Sequence, residues 1–389
     1  MRPHVDQRRA RVRALVQARG SVRVADLARE LGVSPVTLRR DVEAMAARGE
    51  IQRMHGVVSR PQLGSAGKDA GPWASPATAR RSGPAHSRGG GDGGLVIGMV
   101  VPTAEYYYAD VVRGAREAAE ARGARLAVGL TRYLPGEDRT QADHLLSTGV
   151  RGLLLTPNWD AGSPGPGEGT WTARLPVPAV LVERWAPPGH PAASLDRVAS
   201  DHAHGAARAV QHLAGLGHRR IALASRRTPT SARLRTGFQA AVAALGLESA
   251  PPWPRATAAP GPHAGAEASG EAEVSAEAEA FSRTLDYLCA AVTRGGVTAA
   301  LIHSDTDAIM LIPRLQERGV RVPEDLAVIT YDDEVAALAD VPLSAVAPAK
   351  REVGARAAGL LLDRLEGGGA AEGGARQHLE LLPRLTIRP

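Results

Sequence analysis

The sequence predicts an α/β protein in two parts: a small helical head, then a body of two doubly wound lobes built on parallel sheets. Three observations predict this. The first is the distribution of charge. Residues 1–60 hold 13 arginines against 6 acidic side chains, and the remainder holds 34 basic against 35 acidic ones, so the head sets the net charge of +6 over 389 residues. The second is a break at residues 61–94, where PQLGSAGKDAGPWASPATARRSGPAHSRGGGDGG has neither a helical nor a strand period and the composition of a flexible linker. The third begins at Leu95: short apolar runs alternate with amphipathic stretches across short loops, as parallel strands covered by helices on both faces require.

In the head, DQRRARVRALVQAR (6–19) reads as a helix with Val12, Leu15 and Val16 on one stripe, ended by Gly20. Ser21–Val24 is a short extended piece. ADLARELG is a second helix, packing through Leu27 and Leu31 and stopped at Gly32. Ser34 then suits an N-cap and Pro35 the first helical position of a third helix that runs to about Ala47. Residues 50–59 alternate weakly around His55-Gly56 and predict a small two-stranded wing.

On the third helix, at about 100° per residue, Leu38, Val42 and Met45 form one inward stripe. Val36, Thr37, Arg39, Arg40 and Glu43 face away or flank it. Two adjacent arginines on an exposed helix suit a major groove, where arginine pairs bidentately with guanine or grips phosphate. Val36 and Thr37 can meet a thymine methyl, and Ser34 and its neighbouring amides can hold a phosphate. Arg53 and His55 on the wing could contact an adjacent groove or the backbone. An ordinary solvated arginine face is the competing reading of this helix alone. Coding bias explains the choice of arginine, since lysine occurs only at Lys68 and Lys350, but it does not explain why the charge is segregated.

The body reads as strands LVIGMVV, RLAVGL, GLLLTP, VPAVLVE, RRIALAS, TAALIHS and LAVITYDD, with helices such as YADVVRGAREAAEARG, EDRTQADHLLSTG, ASDHAHGAARAVQHLAGLGH, SARLRTGFQAAVAALG and DAIMLIPRLQERG between them. Residues 157–174 and 249–280 are rich in Ala, Pro, Gly and Glu and are expected to loop out, with part of the second helical. Aromatics make up 3% of the chain, so the cores must be built from Ala, Val and Leu.

Doubly wound folds host many enzymes, so catalytic motifs in the body would count for an enzyme. It has no G-x-x-x-x-G-K-[ST] loop, no G-x-S-x-G elbow and no H-E-x-x-H pair. GGGDGG at 89–94 precedes a strand instead of following one. His202, His204 and His212 read as surface histidines, with no metal expected. Cys289 stands alone, without a disulfide partner or a metal-ligand spacing. No catalytic residue and no cofactor is expected. No apolar run is long enough to cross a bilayer, and no leader-type h-region follows the basic start, so a cytoplasmic protein is expected.

The block RRARVRALVQARGSVRVADLARELGVSPVTLRRDVEAMAARGEIQRMHG resembles the DNA-binding head of the DeoR family, a winged helix-turn-helix, through its VS-x-x-T-x-RRD core, its G-x-I-x-R step and its terminal HG. Where that family continues HGGA, this chain has HGVV. The resemblance implies that 34–47 is the recognition helix. Residues 95–389 resemble the effector domain of the LacI/GalR family, itself like periplasmic sugar-binding proteins, through HLAGLGHRRIALAS, SARLRTGFQAAVAALG, LQERGVRVPEDLAVITYDDEVAAL and VPLSAVAPAKREVGARAAGLLLDRL.

These resemblances imply a periplasmic-binding-protein-like body with the ligand between its lobes. The expected boundaries are a winged helix-turn-helix at 1–60, a linker at 61–94, and a sensing domain at 95–389. Its lobe 1 would be about 95–199 and 348–374, and its lobe 2 about 200–347 and 375–389. The expected DNA contacts are Ser34, Pro35, Val36, Thr37, Arg39, Arg40, Arg53 and His55. The expected ligand residues are Tyr107 and Tyr108, in the loop after the first strand; Arg184; Arg233, with Arg235 as the alternative; Ser304 and Asp305, where the family has Asn-Asp; and Asp332. An aromatic face with Arg and Asp edges suits a sugar or another polyol, and would also suit a nucleoside. The implied function is a repressor that binds an operator duplex and a carbohydrate effector and acts as a homodimer. A DNA-tethered scaffold and, further off, a sugar-acting enzyme are the alternatives.

Overall fold

The computed structural model describes residues 94–159, 162–248, 250, 270–367 and 374–388, together with 11–16, 21–23, 27, 30, 42, 45, 52–54 and 57–59 near the amino terminus; of 21–23, 52–54, 57–59 and 270–277 it describes the backbone. The chain divides into two compact units, Met1–Arg88 and Gly89–Pro389.

In the first unit, residues 11–16 are helical, and Val12, Val16, Leu27, Val42 and Met45 are buried. The inward stripe expected at positions 42 and 45 is therefore present, while Leu15 is half-buried. Strands β1 (Ser21–Arg23), β2 (Gln52–Met54) and β3 (Val57–Ser59) form an antiparallel sheet in the order β1-β3-β2. The wing is thus three-stranded, because Ser21–Arg23 pairs along Val57–Ser59; a three-residue stretch carries too little periodicity to reveal such a partner. Ser34, Pro35, Val36, Thr37, Arg39, Arg40 and His55 lie outside the described residues, as does the side chain of Arg53, and so does nearly all of the 61–94 segment.

The second unit holds two sheets. The first contains β4 (Val96–Val101), β5 (Arg125–Leu130), β6 (Leu153–Leu155), β7 (Ala179–Val182), β8 (Asp196–Ser200) and, from later in the chain, His378–Leu381. Its neighbouring strands are all parallel. Helices α1 (Tyr107–Ala121) and α2 (Glu137–Ser147) lie on its opposite faces. The chain then crosses at Asp201 into α3 (His202–Gly215), which opens the second lobe: β9 (Ile221–Ser225), α4 (Ser231–Ala244), α5 (Gly270–Thr293), β10 (Ala299–His303), α6 (Asp305–Glu317), β11 (Ala327–Tyr331) and β12 (Ser344–Ala347). It returns to the first lobe through α7 (Lys350–Glu366) and the strand β13 (His378–Leu381), then crosses a third time at Leu382-Pro383 to β14 (Arg384–Thr386), which closes the second sheet antiparallel to β12. The second lobe therefore regains the chain only after Leu381, later than the expected 375, because His378–Leu381 pairs with Arg197–Ser200.

The alternation of side chains explains why these strands read as unbroken apolar runs. In β4, Ile97, Met99 and Val101 face α1 and α7 through Val111, Ala115, Val353 and Leu361, whereas Val100 faces α2 through Ala142 and Leu145. In the second lobe Ala222 and Ala300 face α5 and α6, while Leu223 and Leu301 face α3 and α4. Cores made from small residues bring helices close. A Cβ at Gly354 would fall 1.9 Å from the Val111 carbonyl oxygen, and one at Gly114 would fall 1.8 Å from that of Arg351, so α1 and α7 touch backbone to backbone. The 157–174 stretch contains one short 3-10 turn (Thr170–Arg174), and the glutamate-rich part of the second insertion is the start of α5.

Candidate functional site: the cleft between the lobes

Loops leaving the carboxyl ends of parallel strands converge, and such sheets bind ligands there. In this protein side chains from those ends of the two sheets meet across a cleft.

On the first lobe, β4 leads to three consecutive tyrosines. Tyr107 and Tyr108 stand on the first turn of α1 and not in the loop before it. The Tyr107 hydroxyl donates to Glu183 Oε1 at 2.8 Å and lies 3.3 Å from Ser200 Oγ. Tyr108 is buried, and its hydroxyl accepts from Arg184 Nη1 at 3.1 Å. The two rings meet edge-on with centroids 5.4 Å apart. Arg184, 1% exposed, also donates to the carbonyls of Pro157 and Glu183, which leaves its Nη2 as a buried donor without a partner among the described residues. A buried donor left in that state costs about 1–3 kcal/mol, so a group that accepts from it has that much to gain.

Where the first crossing occurs, a buried chain of hydrogen bonds ties the lobes together. Glu183 accepts from Ser200 N and Oγ and faces His202 Nε2 at 3.3 Å, while His202 Nδ1 meets the Tyr331 hydroxyl at 2.9 Å. Burial alone would raise the Glu183 carboxyl, but the bonds from His202 and Ser200 outweigh it and hold it below the ordinary value. His202 is therefore a core residue and not the surface histidine its sequence position suggested; His204 and His212 are half-buried.

On the second lobe, Asp305 is fully buried at the start of α6. Its Oδ2 accepts from the amides of Glu334, Val335 and Ala336 at 2.8, 2.7 and 3.1 Å, and its Oδ1 accepts from the Thr306 amide at 2.8 Å. Oδ1 also accepts from the hydroxyl of Tyr106, which reaches over from the first lobe. Ser304 Oγ is spent on Thr306 Oγ1 at 2.6 Å. Asp332, at the end of β11, is 4% exposed, with Tyr106 Oη 3.5 Å and His303 Nε2 3.7 Å from its Oδ2. Burial is the main cause of a carboxyl raised to about 6; Lys350 and His202 oppose the rise, and Asp305 and Glu183 add to it. Burial likewise lowers His303 to about 4.

Arg233 does not point at either carboxylate. Its guanidinium stacks 4.5 Å from the Trp185 ring, whose Nε1 donates to Glu380 Oε1 at 3.2 Å; Arg235 is exposed. Lys350, one of the chain's two lysines, is buried at the second crossing, ion-paired with Glu334 and 5.2 Å from the Tyr107 ring centroid. The cleft thus gathers Tyr107, Tyr108, Arg184, Arg233, Ser304, Asp305 and Asp332. It adds Tyr106, Glu183, Trp185, His202, His303 and Lys350, which sequence reasoning did not select. The rarity of lysine and the run of three tyrosines were the signals that could have found two of these. Among the described residues no group of His, Cys, Asp or Glu could hold a metal ion, and no helix is long and apolar enough to cross a membrane.

Matches to known families and proteins bear on the class of this head and its two-lobed body, that of transcription regulators. Residues 8–62 match the DeoR-like helix-turn-helix domain, residues 94–257 match the periplasmic binding proteins and sugar binding domain of the LacI family, and residues 210–388 match the periplasmic binding protein-like domain. The chain therefore carries a DeoR-like helix-turn-helix ahead of a LacI-type periplasmic-binding-protein-like body. It is 24% identical over 297 residues to the transcriptional repressor CytR of Escherichia coli K12, covering 75% of this chain and 79% of that one. It is 39% identical over 92 residues to the transcriptional repressor PurR of Vibrio atlanticus, a match that spans 23% of this chain and 28% of that protein. Among solved structures, the transcriptional regulator CelR–cellobiose complex superimposes with a TM-score of 0.56 at 25% identity, over 75% of this chain and 83% of that one.

Proposed function

We propose that the protein is a cytoplasmic transcription repressor whose head binds an operator and whose cleft holds a small carbohydrate that controls operator affinity. The observation that carries the ligand reading is Asp332: a nearly buried carboxylate at a strand end, facing the cleft, whose Oδ2 among the described residues has long contacts to Tyr106 and His303. Asp332 accepts from ligand hydroxyls, Arg184 Nη2 donates to a ligand oxygen, and the Tyr107 ring forms a wall. Asp305 Oδ1 accepts from a second ligand hydroxyl, Tyr108 and Ser304 position these groups, and Arg233 with Trp185 closes one side. The cellobiose complex of the structural neighbour supports a carbohydrate in such a cleft. The body binds without turnover. Ligand shifts operator affinity to the extent that it favours one lobe arrangement over another. The test is a thermal-shift screen of sugars and nucleosides followed by operator titration with and without the hit. Stabilisation by none of them, or a hit that leaves operator affinity unchanged, would defeat the reading.

A pH dependence follows from Asp332. The hydroxyl of a sugar donates best to the ionised carboxylate, so affinity falls as pH drops through about 6, the value to which burial raises this group. Calorimetric titration between pH 5 and 8 reads it, and Asp332→Asn, which cannot ionise, should bind weakly or not at all throughout that range. Global stability reports this poorly. Between about 4 and 6 the raised Asp332 makes the folded state lose stability as pH rises, whereas His303, held neutral, makes it gain over the same window.

Two bodies pairing would place two heads on one duplex. The second lobe exposes Leu216, Leu338 and Val341 around an apolar groove that also includes Ile309, Ile312 and Pro342. We take a second copy of the chain as the partner of this surface. Leu338→Glu with Val341→Glu converts a dimer to a monomer by sedimentation and weakens operator binding; an unchanged sedimentation coefficient rejects this surface.

A further inference from the structure

We propose that Tyr106 is a built-in stand-in for the effector: from the first lobe its phenol takes the place on Asp305 and Asp332 that ligand hydroxyls take, so a ligand with two adjacent hydroxyls binds by displacing it. The proposal rests on the reading of the cleft above and goes beyond it, because it assigns a residue and a ligand feature that reading does not need.

The geometry is that of a ligand contact made by the protein itself. Tyr106 precedes α1 on the first lobe, yet its hydroxyl donates to Asp305 Oδ1 and lies 3.5 Å from Asp332 Oδ2 on the second. A phenol carries one proton, which Asp305 receives. Asp332 is left facing an oxygen at long range and His303 Nε2 at 3.7 Å, so the pair of carboxylates is half-served. Two vicinal hydroxyls bring two protons, one for each carboxylate, and both acceptor oxygens already lie within 3.5 Å of a single point. Polyols of the sugar class therefore satisfy what the tyrosine cannot.

The contact is also held at a cost to the backbone. Tyr106 sits at φ 50°, ψ −124°, a conformation that disfavours side chains with a Cβ, and release would let it relax. Burial beside two carboxylates raises the phenol far above its ordinary range, so it remains a neutral donor. Because Tyr106 immediately precedes the helix that crosses α7 backbone to backbone, and α7 emerges from the second crossing, displacement acts on the element that links the lobes.

The test is Tyr106→Phe in the full chain, which keeps the ring and removes the hydroxyl. Spin labels on Asp143→Cys and Arg314→Cys, exposed positions on the two lobes, with Cys289→Ser, report lobe separation in ligand-free protein. The proposal expects Tyr106→Phe to lengthen and broaden the distance distribution. It also expects whichever of D-ribose, D-glucose, cellobiose or adenosine binds the parent protein to bind Tyr106→Phe about tenfold tighter, since a charge-assisted hydrogen bond no longer has to be broken. The deoxy analogue lacking one hydroxyl of the vicinal pair should lose most of its affinity for the parent. Unchanged distances overturn the proposal whether or not a panel member binds, and so does equal or weaker binding by Tyr106→Phe. Asp332→Asn separates the two levels. If it leaves binding intact, the cleft reading itself fails; if it abolishes binding while Tyr106→Phe changes nothing, only the stand-in role fails.

Discussion

Arg39→Ala combined with Arg40→Ala lowers operator affinity of the full chain by about 10²–10⁴-fold, the loss expected when two arginine contacts worth about 1–3 kcal/mol each are removed. Val42 and Met45 are buried, which fixes the inward stripe of the third helix. On a helix of about 100° per residue, position 40 then falls nearly opposite that stripe and position 39 flanks it. On the proposed reading one of the two reads a base and the other grips the backbone, so the singles should differ. Loss at the base-reading position falls on the operator but not on a scrambled duplex, while loss at the phosphate contact weakens both and reduces the salt slope by about one. Fluorescence anisotropy on both duplexes at several salt concentrations reads all of this. Sequence-selective affinity that survives the double replacement in a folded protein rejects the head as the reader.

The second large effect concerns Asp305. Besides the Tyr106 hydroxyl on its Oδ1, four backbone amides bond its oxygens, three of them from the loop after β11 that carries Glu334, so it anchors that loop as well. Asp305→Ala strands those donors in a fully buried place and removes the anchor of that loop, at a cost of about 3–5 kcal/mol, comparable to removing one partner of a buried charged pair. Chemical denaturation should show an earlier midpoint for the body, and Glu334 should lose its fixed approach to Lys350. Full stability of Asp305→Ala would reject the anchoring role, whatever becomes of sugar binding.

The architecture was legible because its cause is local. Strands buried on both faces must be apolar throughout, helices between them must be amphipathic, and their alternation dictates parallel order. Pairings between distant segments were not legible. Nothing within Ser21–Arg23 announces a third wing strand, and nothing within His378–Leu381 announces that it extends the first sheet; both depend on partners dozens to hundreds of residues away. The cleft was half legible for the same reason. Asp332 and Arg184 follow strands and were found from that rule, whereas His202 looked like one more polar residue on a helix until Glu183 and Tyr331 closed around it. Tyr106 reads as a neighbour of two better candidates, and its reach across the cleft is set by a backbone conformation that no residue type announces.

The chain passes between the lobes at Asp201, at Pro348-Ala349 and at Leu382-Pro383. Three backbone connections restrict how the lobes can shift against each other more than a single connection would. A molecule bound between the lobes is then felt through all three connections at once.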